Sequence, residues 1–233
     1  MTSLAGLQTG VPTIDDPAFS EILATSGATR NRDELTLSPT MFSEVSSPSR
    51  AGASLGSLRQ ALYRDGALIR EKIDDGFELF ETTDVPAARA TYRFEAEATR
   101  AADVSELSPR VTAAWTFTSE HTASPRVLAL PTLRFAPALD AENRAVRAFP
   151  LLLPVTIERP AGAKAPIVER ATVEASFDDG ATWSRVPGAL VGARFIGIVT
   201  HPPGASFVSL RGTASDAEGN RVEETIVRAY KLR

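Results

Sequence analysis

The chain has no cysteine and only two histidines, two methionines and two tryptophans in 233 residues. Without cysteine there is neither a disulfide framework nor a thiolate metal site. His121 and His201 stand in no ligand spacing of the His-x-x-x-His kind, so no metal site and no cofactor is expected from them. No run approaches the ~18 apolar residues of a membrane-spanning helix. Basic residues are not in excess: 25 Lys and Arg face 29 Asp and Glu, a formal charge of −4. That leaves no electrostatic footprint for nucleic acid and disfavours an anionic membrane surface. The opening residues, MTSLAGLQTGVPTIDDPAF, lack a basic stretch followed by an apolar one, so no signal peptide is expected there. Long amphipathic helical patterns are also missing.

What the chain does have is alternation. Ala171, Val173, Ala175 and Phe177 alternate with Thr172, Glu174 and Ser176, the period of a strand with one wet face. Asp178-Asp179-Gly180 then signals a turn, and a return strand opens at Thr182 and Trp183. ATYRFEAEATR sets Tyr92, Phe94 and Ala96 against Arg93, Glu95 and Glu97. RVTAAWTFTSE places Val111, Ala113, Trp115 and Phe117 on one face, and these two strands are expected to pair. Asp65-Gly66 sits between two short apolar runs and suits a two-residue hairpin. Further strands are expected over Glu34–Leu37, around Phe77 to Phe80, over Leu190–Val199, Phe207–Ala214 and Val222–Tyr230. Ala129–Leu139 and Phe149–Glu158 contain Pro131, Pro137 and Pro154, which points to edges, crossings or bulges.

Short strands separated by turn signals about every ten residues imply an all-β protein built of sandwiches. The expected division is a linker or preceding tail over 1–33, a first β-sandwich over 34–129 and a second, immunoglobulin/fibronectin-III-like sandwich over 130–233. Pro17–Leu23 reads as one short helical turn. The break between the halves is expected over Thr118–Arg126, where polar residues, His121 and Pro125 gather. The second core is expected to hold Phe135, Leu152, Val173, Phe177, Trp183, Ile198, Leu210 and Ile226.

Ser176, Asp178, Gly180, Thr182 and Trp183 match the Asp-box pattern Ser-x-Asp-x-Gly-x-Thr-Trp of sialidase-like propellers. Its logic is structural: a carboxylate collects turn amides, glycine takes the positive φ, and tryptophan packs beneath the hairpin. A propeller needs several four-stranded blades, which this length does not hold, so the motif reads as one well-made hairpin. Asp178 and Asp179 are adjacent on a strand and do not converge as an acid–base pair. Asp216, Glu218 and Asn220 have the look of a small calcium loop without its full ligand set, and read as a solvated turn. Gly52-Ala53-Ser54-Leu55-Gly56 matches Gly-x-Ser-x-Gly, but no buried strand precedes it and no helix follows. His121 and His201 are both expected in exposed turns, and no catalytic residue is assigned.

The ordered strings YRDG (Tyr63 to Gly66), TYRFEAEATR (Thr91 to Arg100), RVTAAWTF (Arg110 to Phe117) and LPTLRFAPALD (Leu130 to Asp140) are followed by VEASFDDGATW (Val173 to Trp183), FVSLRGTASDAEGN (Phe207 to Asn220) and TIVRAYKLR (Thr225 to Arg233). Together they resemble the C-terminal, non-catalytic region of large secreted subtilisin-like serine peptidases of actinobacteria, over roughly Leu35 to Arg233. The resemblance implies an extracellular accessory module with a structural, spacing or attachment role. Its implied partner is the peptidase catalytic domain or a protein or cell-surface substrate. The Asp-Thr-Gly, His-Gly-Thr-His and Gly-Thr-Ser-Met-Ala strings of those peptidases are absent here, so no catalytic residue carries over. A carbohydrate-binding module is the competing reading, and it needs exposed aromatics along a sheet face.

Overall fold

The computed structural model describes residues 27–38, 41–42, 56–74, 80–101, 103, 105–160 and 162–233. The expected turn at 17–23 and Ser54 lie outside them. Among the described residues all regular structure is β, as expected from the alternation. The strands are β1 (Gly27–Arg32), β2 (Glu34–Ser38), β3 (Leu58–Arg64), β4 (Ala67–Asp74), β5 (Phe80–Thr82), β6 (Ala90–Thr99), β7 (Arg110–Ser119), β8 (Thr122–Val127) and β9 (Thr132–Phe135). They continue with β10 (Arg144–Ala145), β11 (Leu151–Glu158), β12 (Val168–Ser176), β13 (Ser184–Arg185), β14 (Gly188–Val191), β15 (Arg194–Val199), β16 (Phe207–Asp216) and β17 (Arg221–Leu232).

A nine-stranded sheet runs β13-β12-β16-β17-β7-β6-β3-β4, with β10 joining β17 in parallel. Two four-stranded sheets, β5-β2-β1-β8 and β14-β15-β11-β9, cover one face of it. Alternation dictates which face. Tyr92, Phe94, Ala96 and Ala98 on β6 are buried, as are Val111, Ala113, Trp115 and Phe117 on β7. The register carries that row across the sheet, with Phe94 opposite Trp115 and Trp115 opposite Val222. Phe80 of β5 meets Phe94 at 5.3 Å between ring centroids. Gly212 of β16 leaves the room that Leu133 and Phe135 of β9 fill, since a Cβ there would sit 2.7 Å from Leu133 Cδ1. The result is a two-layer sandwich with one broad inner sheet.

Two covering sheets meet over a single continuous core. The expected boundary at 129/130 falls on the crossover Leu128–Pro131 between β8 and β9. Beneath it, β17 pairs with β7 from Arg221↔Thr116 to Ile226↔Val111. Trp115 Nε1 donates to Pro131 O at 2.8 Å, tying the crossover to the sheet. The two strand sets expected as separate sandwiches therefore share one sheet.

Turn chemistry matches the sequence at Asp65 and Gly66, whose φ values of 48° and 84° are the paired positive values a tight hairpin needs. Other features differ. Thr122–Val127 is not a break but an edge strand paired to β1. Pro125 is tolerated because an edge leaves one side of the strand without a ladder. Leu190–Val199 is two strands, turned at Gly192 with φ 59°. Phe149–Glu158 supplies an interior strand, β11, flanked by β15 and β9. There Pro154 O accepts from Ala136 N at 2.9 Å, so its ring nitrogen faces the same side, just past the point where β9 ends opposite Val155. The missing N–H falls where the ladder has stopped.

Three expected core residues are misplaced, and a fourth packs only at the core's margin. Leu152 and Ile198 face each other across the ladder but point outward, and are exposed. Their neighbours Leu153 and Phe195 fill the core instead. Phe177 is half-buried at the core margin. Trp183 is half-buried on the outer face of the nine-stranded sheet. It shares that face with Glu174 and Arg185, because Ser184, not Trp183, stands opposite inward-facing Ala175. Phe135, Val173, Leu210 and Ile226 are buried as expected.

Candidate functional site

The Asp-box residues do come together. Asp178 Oδ1 accepts from Thr182 N at 2.8 Å and from Ser176 Oγ at 2.7 Å, and Asp178 Oδ2 accepts from Thr182 Oγ1 at 2.5 Å. The Thr182 hydroxyl, then the Thr182 amide and the Ser176 hydroxyl, hold the Asp178 carboxyl down at about 2. Gly180 N donates to Ser176 Oγ at 2.8 Å with φ at 93°, and its bare Cα leaves space for the Trp183 ring. Every acceptor position of Asp178 that the turn can reach is thus engaged inside the hairpin. Asp179, expected to point elsewhere, pairs with Arg228 at 2.6 and 2.9 Å. Arg228 is itself at a positive φ of 50°, in a bulge of β17 whose amide bonds Ser209 Oγ. The hairpin is therefore pinned to the sheet by an ion pair, and Arg211 lies 4.5 Å over the Trp183 ring.

The remaining expected positions stay apart. His121 Nδ1 lies 3.0 Å from Asp33 Oδ1 in an exposed turn. His201 is buried rather than exposed: its Nε2 is 3.1 Å from Tyr230 Oη, and its ring meets Phe177 edge-on. Desolvation lowers its basicity and favours the neutral imidazole. Gly56, the second glycine of Gly-x-Ser-x-Gly, is explained by packing, since a Cβ would stand 2.2 Å from Thr99 O. Asp216 Oδ1 accepts from the Glu218 and Asn220 amides at 3.0 Å, and Asn220 Nδ2 reaches both carboxylate oxygens. Asp216 and Asn220 are buried rather than solvated as expected, because the carboxylate is used up by these donors and by Arg159, whose Nη2 stands 3.6 Å from Asp216 Oδ2. Among the described residues no three His, Asp or Glu side chains gather as a metal site would require.

One concavity among the described residues was not announced by the sequence. It opens at one end of the seam, where β7 runs past the start of β17. Edge strand β8, the Leu128–Leu130 crossover and the loops that carry Arg89, Lys164 and Glu218 wall it, and its volume is about 360 Å³. Phe117, Ser119, Leu128 and Leu130 form a buried floor. Around the mouth stand Arg89, Arg126 and Lys164 with Glu120 and Glu218. Arg89 lies 3.8 Å from Glu120 and Lys164 lies 3.9 Å from Glu218, loose pairs that a ligand could reorganise. Their positions in sequence, spread from 89 to 218, explain why no local motif marks them. The lining is mainly polar, with charge and hydroxyls around a small buried floor of Phe117, Leu128 and Leu130.

A largely polar second surface covers the outer face of the nine-stranded sheet. Arg93 bridges Glu95 and Glu223 at 2.8 and 3.0 Å, Arg211 meets Glu174 at 2.7 Å, and the Thr172 and Thr213 hydroxyls bond at 2.8 Å. No helix among the described residues is long and apolar enough to cross a membrane. Fold and cleft together define a class: an all-β, two-layer sandwich module with a seam cleft. Compared with models of known protein families and with curated proteins, the sequence finds no match.

Proposed function

We propose that this chain is a non-catalytic accessory module that spaces and attaches a larger exported assembly, in keeping with its resemblance to the C-terminal region of secreted subtilisin-like serine peptidases. The observation that carries the reading is the seam cleft. It is set in a sheet that runs unbroken through both halves, so a ligand held there is fixed relative to the whole body. Its lining offers ion pairs and hydroxyls over an apolar floor, suited to holding a protein segment or a cell-surface polymer. The partner is the catalytic domain of such a peptidase or its protein or surface substrate.

The test is binding of the full chain to an isolated subtilisin-like catalytic domain and to purified cell-wall material, with Arg126→Glu and Lys164→Glu as variants. The expected result is saturable binding to one of them, weakened at least ~10-fold by charge reversal. Binding unchanged in both variants would remove the cleft from the reading. Covalent labelling of Ser54 by a fluorophosphonate in the folded chain would overturn its non-catalytic part.

One observation favours a carbohydrate-binding reading as the alternative. Trp183 stands on the solvent side of the sheet beside polar side chains, where a sugar ring could stack if Arg211 moved off the indole. Quenching of Trp183 emission by soluble oligosaccharides, with Trp115 replaced by Phe to isolate the signal, would support it.

A further inference from the structure

The outer face of the sheet β14-β15-β11-β9 is apolar over β14, β15 and the first half of β11, where a solvated sheet face should be polar. The register assembles it: Leu152 stands opposite Ile198, Pro154 opposite Ile196, and Ile196 opposite Ala189. Leu152 is 53% exposed, Ile198 50%, Ile196 40% and Val191 69%. These side chains lie on three adjacent strands, so they form one patch rather than scattered exposures. The block of Leu152, Pro154, Ala189, Ile196 and Ile198 contains no charge. The first charge along β15 is Arg194, at the end of the patch beside Val191.

We propose that this face is the interface of a two-fold homodimer. Its exposed side chains present roughly 400 Å² of apolar surface, the size of a monomer's largest, often functional patch. Two copies face to face bury about 800 Å² from these residues, and the rim around them brings the total past the ~1,000 Å² that an interface must clear. A pleated, uncharged face mates with its own copy as two sheets do in a sandwich, about 10 Å apart. A charged partner surface would have to strand its charges against this block.

A second exposed apolar element, on an edge strand, is closed to the same use. Edge strand β4 carries Leu68, Ile69 and Ile73. A two-fold antiparallel pairing of β4 with itself must oppose residues of equal parity, because opposed side chains share a face. Its central registers set Glu71 against Glu71 with Arg70 against Lys72, or Arg70 against Arg70. Like charges then meet directly, which disfavours the pairing.

Sedimentation velocity of the full chain across a micromolar concentration series tests the proposal. The expected result is a reversible monomer–dimer equilibrium. Ile198→Glu and Leu152→Glu, each counted twice in a two-fold interface, should raise the dimer dissociation constant at least ~100-fold. Both positions face outward, so circular dichroism melts taken below the parent's dimer dissociation constant should stay near the parent's. Ile69→Glu on β4 should leave the dimer unchanged. A parent chain monomeric throughout the series would overturn the proposal, whatever the variants do. So would a dimer of undiminished strength in both patch variants, open-ended association beyond the dimer, or loss of the dimer in Ile69→Glu alone.

Discussion

At the residue scale, two carboxylates show opposite uses of environment. Asp178 is exposed to water but collects three donors, so its carboxyl is held at about 2. A depressed folded pKa gives stability that is complete above the unfolded value, near 3.9, and is lost as pH falls toward about 2. The hairpin should therefore hold above about pH 4 and loosen progressively as pH falls toward about 2. Asp178→Ala should free Trp183 at neutral pH, seen as a red-shifted and more readily quenched emission in a Trp115→Phe background. Asp178→Asn should fall between, because its one carbonyl oxygen can still accept from the Thr182 amide.

Glu224 is the opposite case. It is buried in the core face of β17, where desolvation pushes its carboxyl well above the ordinary value against the pull of Arg134 and the Leu133 amide. A raised folded pKa means that stability is complete below the unfolded value, near 4.3, and declines as pH rises toward the folded one. Glu224→Gln keeps the shape and removes the titration. Its stability should gain on the parent as pH rises from 5 to 8, measured by denaturant midpoints at each pH. An offset that does not change with pH would show that Glu224 is not buried as a neutral acid.

At the scale of the element, strand faces are the point at issue. In β11, Leu151, Leu152 and Leu153 are apolar at both parities, and in β15 Phe195, Ile196 and Ile198 are as well. Alternation carries no information when both faces are apolar, so the face expected to be inside was the outer one. β6 and β7 posed no such problem, because Arg93, Glu95 and Glu97 mark the wet side unambiguously. The faces can be checked directly. Leu153→Ala should cost about 2–5 kcal/mol as a fully buried leucine, while Leu152→Ala should stay within about 0.5 kcal/mol. Equal effects at the two positions would reverse the assigned face. Gly212→Ala should cost about 1–3 kcal/mol, since its methyl meets Leu133 and Phe135 with no room to move. Phe177→Ala should cost less than the ~3–5 kcal/mol of a fully packed aromatic, because Phe177 sits at the core margin.

For the whole molecule, the ladder between β7 and β17 is decisive. It joins strands more than a hundred residues apart, and the Trp115–Pro131 hydrogen bond closes the seam above it. Heat or denaturant should therefore unfold the chain in one cooperative transition, with coincident far-ultraviolet and tryptophan signals. A chain of Leu130–Arg233 alone would bare the β7-facing edge of β17 and lose the seam. It should be less stable than the same strands in the full chain and prone to edge association. Two separate transitions in the full chain, with the second matching the isolated half, would show that the halves fold independently despite the shared sheet.

The sequence by itself determined the all-β class, the β3–β4 and β12–β13 hairpins, the inward rows of β6 and β7, and the internal wiring of the Asp-box turn. All of these rest on interactions between residues near in sequence or on period-two patterning, both of which are written locally. Only the tertiary structure decided that one sheet crosses the seam, that Thr122–Val127 is a strand, that His201 is buried under Tyr230 and that Trp183 faces outward. It alone assembled the seam cleft from Arg89, Arg126, Lys164 and Glu218. Such features come from long-range pairing and from which of two equally apolar faces finds a partner, and neither choice leaves a local mark in the chain.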